Sequence, residues 1–167
     1  MTSTSRPHDA QALRAAMLSG QAPDGLRAGT TVLTQDGALP VEYLTEGDRV
    51  ISRDRGLVTV RAISRRMTVC PAVQVRADAP GGLGAQDDVI LPAGQRILLR
   101  DWRARAMYGT QQKVVPISAL IDGETVRDLG LKRLRLFTLD FDHEHVVYAG
   151  GLELVQGTAR HHLRLAA

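Results

Sequence analysis

From Gly25 onward, the chain consists of short runs of β-branched and aliphatic residues, and residues that favour turns separate these runs. Three such turns are Gln35-Asp36-Gly37, Glu46-Gly47-Asp48 and Asp54-Arg55-Gly56. Short apolar runs bounded by Gly, Asp or Pro are typical of an all-β domain with many short strands. The predicted strands are Thr30 to Thr34, Arg49 to Ser52, Leu57 to Ile63, Val73 to Ala77, Val89 to Leu91, Ile97 to Arg100, Val114 to Pro116, Leu134 to Phe141 and Val146 to Tyr148. Ile117 to Ile121 predicts a single helical turn.

The two ends of the chain differ from this pattern. The first residues are rich in Ser, Thr and Pro, and after them Leu13, Ala16 and Met17 have helical spacing. This spacing predicts one short helix over Asp9 to Leu18. We therefore expect an N-terminal tail with a short helix over residues 1–24, the β domain over residues 25–155, and a flexible C-terminal tail over residues 156–167.

Composition excludes several classes of function. The chain has 167 residues, 44% of them hydrophobic, which is enough for one ordinary core. Its formal net charge is only +3, and only 4% of its residues are aromatic, so few side chains can stack on bases. A nucleic-acid role through Lys132-Arg133-x-Arg135 would therefore rest on charge alone. No stretch approaches the roughly 20 apolar residues that span a bilayer. We expect no membrane segment and no signal peptide, and a cytoplasmic location.

The few cysteine and histidine residues argue against a metal or another cofactor. Cys70 is the single cysteine, and its apolar neighbours favour a small core side chain over a reactive thiol. If the segment that holds His143 and His145 is extended, the two imidazoles share one face with Phe141, about 7 Å apart. A zinc site needs three or four ligands, and the other histidines lie near the chain ends, so we predict no metal site.

Two neighbouring segments of the sequence resemble a known family. Gly29 to Thr34 reads Gly-Thr-Thr-Val-Leu-Thr, and Gly37 to Val50 includes Pro-Val-Glu-Tyr-Leu-Thr-Glu-Gly-Asp-Arg-Val. Together they resemble the opening of a Hedgehog/intein (Hint) self-processing domain. In that family a nucleophilic Cys stands four residues before the Gly of Gly-Thr, and its thiol attacks the preceding peptide carbonyl. The resemblance places Gly25 at this position, and glycine has no side chain that can attack.

The resemblance continues to about Leu154 and implies two further site positions. Leu91 to Leu99 is similar to a segment of bacterial Hint proteins that reads Ser-Pro-x-His-Arg-Val-Leu-Leu, and Gln95 stands where the family has its His. A Gln amide can donate a hydrogen bond but cannot transfer a proton at neutral pH. The later segment Asp142-His143-Glu144-His145 is similar to the family's Phe-Asp-x-His-Glu pattern, which places the family His at Glu144.

The resemblance therefore implies a compact Hint-like β-fold whose active site is degenerate. Its vestigial positions are Gly25, Gln95 and residues Asp142, His143, Glu144 and His145. Gly25 can also be interpreted as a turn glycine after Pro23-Asp24, and this interpretation likewise gives it no catalytic role. We expect a protein that does not cleave itself and is not an enzyme, and that binds an unknown protein or peptide partner or forms homo-oligomers. The alternative is an active self-processing domain with an unrecognised nucleophile.

Overall fold

The computed structural model of the chain describes residues 23–78 and 81–157, which form antiparallel β-sheets and thus confirm the all-β prediction. The strands are β1 (Leu26–Arg27), β2 (Thr31–Thr34), β3 (Gly37–Pro40), β4 (Arg49–Ser52), β5 (Gly56–Thr59), β6 (Ala62–Val75), β7 (Val89–Pro92), β8 (Arg96–Leu99), β9 (Lys113–Pro116), β10 (Val126–Asp140), β11 (His145–Ala149) and β12 (Leu152–Gln156). One α-helix, α1 (Trp102–Tyr108), and two 3-10 helices (Val41–Tyr43 and Ile117–Leu120) complete the described elements. The second 3-10 helix confirms the predicted helical turn.

Two sheets pack around one core. The smaller sheet has the order β1-β10-β6-β7, and the larger has the order β3-β2-β4-β11-β12-β8-β9, with β5 paired to β4. Buried aliphatic side chains of both sheets form the main cluster, in which Val32, Val147 and Leu154 come from the larger sheet and Leu139 from the smaller one. A second, smaller cluster lies within β6 and β10 and consists of Cys70, Ala72, Leu134 and Leu136. Burial of this apolar surface is the main force that holds the two sheets together.

The longest strands, β6 and β10, differ from the sequence prediction. The predicted strand Leu57 to Ile63 is divided between β5 and the first two residues of β6. Strand β6 then continues without a break over 14 residues, and β10 begins eight residues before the predicted start at Leu134. The middle of β6 is polar and exposed, so it lacks the apolar alternation that predicts a strand. Backbone pairing with β10 holds this part of β6 in an extended conformation. A register shift between Asp128 and Gly130 accommodates one extra residue on β10.

The short helix α1 was not predicted. The carboxylate of Asp101 accepts a hydrogen bond from the backbone N–H of Arg103 and so caps the first turn, and Gly109 ends the helix in a left-handed conformation. The N-terminal helix predicted over Asp9 to Leu18 lies outside the described residues.

The last described strand ends beyond the predicted domain boundary. Strand β12 continues to Gln156, one residue past residue 155, and the Gln156 side chain is buried. Residues 158–167 of the predicted C-terminal tail lie outside the described residues. Within the described ranges, no helix combines the length and the apolar character needed to cross a bilayer.

Candidate functional site

A buried hydrogen-bond network joins the start of the domain to its last strand. The backbone N–H of Gly25 donates to Oε1 of Gln95 at 2.9 Å, although the two residues are 70 positions apart. Nε2 of Gln156 donates to the same oxygen at 3.0 Å, and Oε1 of Gln156 accepts from the backbone N–H of Leu139 at 3.1 Å. The structure thus brings together the two positions that the resemblance implied as nucleophile and His.

Gln95 is fully buried, and its amide orientation is fixed. Its Nε2 donates to the carbonyl oxygens of Arg96 and Val155, both at 2.9 Å. Because a carbonyl oxygen can only accept, the nitrogen must face these two groups, and Oε1 must face Gly25. Gln95 therefore presents an acceptor, and not a donor, to the backbone nitrogen of Gly25.

The backbone at Gly25 adopts a conformation that favours glycine. Its φ angle is +130°, which side-chain-bearing residues rarely adopt. A β-carbon at this position would lie 3.1 Å from the carbonyl oxygen of Phe137, 3.4 Å from Cβ of Leu136 and 3.5 Å from Oγ1 of Thr138. The preceding carbonyl, that of Asp24, accepts a 3.3 Å hydrogen bond from Nη2 of Arg66. The Asp24–Gly25 peptide is thus held at both its oxygen and its nitrogen.

Glu144, where the resemblance places a His, lies beside this network. Its carboxylate contacts the guanidinium group of Arg96, with 2.5 Å between Oε1 and Nη2, and both side chains are about one-third exposed. The carbonyl of Arg96 in turn accepts from Nε2 of Gln95. Glu144 therefore reaches the Gln95 network only through Arg96.

His145 forms a second polar cluster with two carboxylates. Its Nδ1 lies 2.7 Å from Oδ2 of Asp54, and its Nε2 lies 2.8 Å from Oδ1 of Asp142. The imidazole is buried, and Phe141 packs edge-on against it with 5.8 Å between the ring centres. The other oxygen of Asp54 accepts from the backbone N–H of Val146. The cluster therefore fixes the turn after β4 to the start of β11.

The two carboxylates favour the charged imidazole. Burial alone would lower the pKa of His145, but the hydrogen bonds to Asp142 and Asp54 outweigh it and raise this pKa. The hydrogen bond to His145 lowers the pKa of Asp142. For Asp54, burial raises the pKa, but the hydrogen bonds from His145 and Val146 outweigh it and lower the pKa. These shifts favour an imidazolium between two carboxylates.

His143 contacts the second cluster only through its backbone N–H, which donates to Oδ1 of Asp142 at 2.9 Å, and Cys70 belongs to neither cluster. The strand β11 begins only at His145, and the preceding residues form a turn in which His143 is exposed. The alternation that was to place His143 and His145 on one face therefore does not occur. Cys70 is fully buried, and burial raises the pKa of its thiol, which agrees with a core side chain. Within the described residues, no group of three or more His, Cys, Asp or Glu side chains is arranged to hold a metal.

Three residues of these sites were not singled out from the sequence. Gln156 falls in the predicted C-terminal tail, Asp54 falls in a predicted turn, and no sequence pattern marks Arg66. Each contacts its partner across a long separation in sequence, 61 positions for Gln156 with Gln95 and 91 for Asp54 with His145. No local pattern signals such contacts.

Comparison with solved structures identifies the fold. The chain is similar to the gp41-1 intein, with 14% sequence identity, a TM-score of 0.51, and coverage of 82% of this chain and 100% of the intein. It is also similar to a bacterial intein-like domain from Clostridium thermocellum, with 15% identity, a TM-score of 0.55, and coverage of 82% and 100%. The Ssp DnaB mini-intein variant M86 gives 9% identity, a TM-score of 0.55, and coverage of 81% and 94%. At these identities the likeness shows the fold alone.

Comparison with protein families agrees with the structural matches. A search of curated protein sequences gives no match. A family model described as "Hint domain" matches residues 25–154, which begin at Gly25 and include Gln95 and the His145 cluster. This match covers most of the chain, so the protein belongs to the Hint domain family.

Proposed function

We propose that this protein is a Hint domain that no longer cleaves itself and that serves a binding or structural role. The observation that carries the proposal is the hydrogen bond from the backbone N–H of Gly25 to Oε1 of Gln95. In the family, a thiol at the position of Gly25 attacks the preceding carbonyl, and a His assists the departure of the amide nitrogen. Here neither group is present.

The geometry at Gln95 argues against proton transfer to the leaving nitrogen. That nitrogen must gain a proton as the bond to the Asp24 carbonyl breaks. Gln95 presents an oxygen to it, and its own N–H groups are directed at the carbonyls of Arg96 and Val155. The side chain therefore stabilises the intact peptide and supplies no acid. The buried His145 is engaged at both ring nitrogens by Asp54 and Asp142, so it is not available for this task either.

A self-processing role with another nucleophile is the second candidate. The feature that would support it is the hydroxyl of Thr138, which lies 3.5 Å from the position of a β-carbon on Gly25. This hydroxyl would need a base to activate it, and the nearby Gln95 cannot act as one. The absence of a basic group at Gln95 favours the non-cleaving role.

Intact-mass spectrometry of the purified full chain tests the proposal. We expect a single 18.1 kDa species after long incubation, with and without added thiol. Cleavage after Asp24 would contradict the proposal. If cleavage occurs, Thr138→Val should abolish it while Thr125→Val does not, and that result would establish the second candidate.

The retained scaffold supports a binding or structural role. The core of the domain is buried and continuous, and the Asp24–Gly25 junction is fixed by hydrogen bonds at both ends. A fold does not determine a function, so the partner must be inferred from surfaces of this chain. We propose a protein or peptide as the partner class.

A further inference from the structure

The middle of the β6–β10 pair carries an exposed surface of arginine and apolar side chains. Met67 on β6 pairs with Arg135 on β10, and Val69 pairs with Arg133. Side chains two residues apart on a strand, and those directly opposite on its partner, share one face of a sheet, so Arg65 lies on this face as well. Met67 is 54% exposed and Val69 is 47% exposed, and the three arginines are exposed. We call these five residues the ribbon face.

The arginines of the ribbon face are available for a partner. In residues 23–78 and 81–157, no carboxylate forms an ion pair with Arg65, Arg133 or Arg135. Arg133 and Arg135 are two residues apart on β10, which separates them by about 7 Å along the strand. An exposed guanidinium group can bind a carboxylate through two parallel hydrogen bonds. The face therefore attracts carboxylates at a defined spacing.

The strands on either side leave the ribbon face open. Strand β7 pairs with β6 only from Ala72 to Val75, and β1 pairs with β10 at Leu136 and Phe137, after which the N–H of Ala28 donates to the carbonyl of Arg135 and the contact ends. Among the described residues, no third strand therefore flanks the pair at Met67 and Val69. A partner can approach this part of the sheet without displacing a described strand.

We propose that the ribbon face binds an acidic segment of a protein partner. The segment would be extended, with carboxylates at alternate positions that meet Arg133 and Arg135, and the aliphatic parts of the same side chains would cover Met67 and Val69. This proposal deepens the binding role proposed above. It does not depend on the Asp24–Gly25 junction, which contacts Leu136 and Thr138 on the opposite face of β10.

The composition of the face favours a protein over a nucleic acid or a membrane. Protein interfaces are enriched in Arg and Met and depleted in Lys, and Lys132 lies on the opposite face, where it pairs with the buried Cys70. Phe137 is the aromatic residue nearest along β10, and it is buried in the core, so it offers no surface for base stacking. Two half-exposed apolar side chains bury too little area to anchor a protein at a bilayer.

Fluorescence anisotropy with a synthetic peptide tests the proposal on the full chain. The probe is a short labelled peptide with Glu at alternate positions and Val and Thr between them, and its control has Gln in place of Glu. We expect the Glu peptide to bind, the Gln peptide to bind about tenfold more weakly or worse, and higher salt to weaken the binding. Reversing two charges with Arg133→Glu and Arg135→Glu should weaken binding by about tenfold or more.

Matched variants distinguish binding at the ribbon face from a general effect of the protein's net charge. Arg49→Glu combined with Arg55→Glu makes the same charge change at exposed positions on another strand and turn, and should change the affinity less than about twofold. Met67→Ser keeps the charge and should weaken binding by about threefold. Equal losses in the two charge-reversal variants would overturn the proposal. Tighter binding to phosphatidylserine vesicles or to single-stranded DNA than to the Glu peptide would also overturn it. The intact mass of the same samples reports separately on self-cleavage.

Discussion

The carbonyl oxygen of Phe137 lies 3.1 Å from the position that a β-carbon on Gly25 would occupy. This contact and the φ angle of +130° mean that any side chain at position 25 is strained. We predict that Gly25→Ala lowers the free energy of unfolding by about 1–3 kcal/mol. Urea denaturation followed by circular dichroism measures the loss. Gly37→Ala is the control, because φ is +101° there but no atom lies within 4 Å of an added β-carbon. It measures the strain of the backbone alone and should lower the free energy of unfolding less than Gly25→Ala.

Restoring a thiol at position 25 should recover little of the family chemistry. We predict that Gly25→Cys gives at most slow, thiol-dependent cleavage after Asp24, because Gln95 cannot protonate the leaving nitrogen. Adding Gln95→His should accelerate this cleavage beyond that of the single variant. Mass spectrometry of the time course, with Gly25→Ala as the strained control without a thiol, measures both rates. Complete inertness of the double variant would contradict the assignment of these two positions.

The Gln95 network should contribute strongly to stability. We predict that Gln95→Leu lowers the free energy of unfolding by about 3 kcal/mol or more, because it leaves the N–H of Gly25 and the carbonyls of Arg96 and Val155 buried without this partner. Urea denaturation again measures the effect. Gln35→Leu, at an exposed position, is the matched control and should change stability by less than about 0.5 kcal/mol. Similar losses in both variants would show that the network is not stabilising.

Stability should depend on pH through the His145 cluster. The pKa of His145 is raised above its usual 6.5, so its contribution is complete below about pH 6.5 and is lost as the pH rises through the raised value. The pKa values of Asp54 and Asp142 are lowered from 3.8, so their contribution is present above about pH 3.8 and is lost as the pH falls through the lowered values. The cluster is therefore most stabilising between about pH 4 and 6.5.

A single substitution isolates this effect. We predict that His145→Gln lowers the melting temperature by several degrees at about pH 5.5, and by less at about pH 8.5, because the contribution of the charged imidazole declines as the pH rises through its raised pKa. Thermal denaturation at the two pH values measures the difference. His143→Gln, at an exposed position in the neighbouring turn, is the control and should lower the melting temperature less than His145→Gln at about pH 5.5. Equal losses for His145→Gln at both pH values would contradict a charged cluster.

The class of fold could be predicted from local signals, whereas the proximity of two site residues was implied only by the family resemblance. Turn residues and β-branched runs mark strands, and the resemblance fixed the positions of Gly25 and Gln95, which the structure places in direct contact. The polar middle of β6 was not predicted as a strand because pairing with β10, and not an alternation of apolar residues, holds it in an extended conformation. The partners Gln156 and Asp54 were missed because tertiary contacts across 61 and 91 positions leave no periodic trace in the chain.

The long β6–β10 pair also bears on how the chain folds. Val75 pairs with Val126 at one end of the ladder and Ala62 with Asp140 at the other, so every rung closes a loop of about 50 residues or more. The entropy of these closures must be lost before the pairing contacts form, and chains dominated by such non-local contacts fold in milliseconds to seconds. We therefore expect slow refolding, with Phe137 and Leu139 ordered late and their substitutions acting mainly on the unfolding rate.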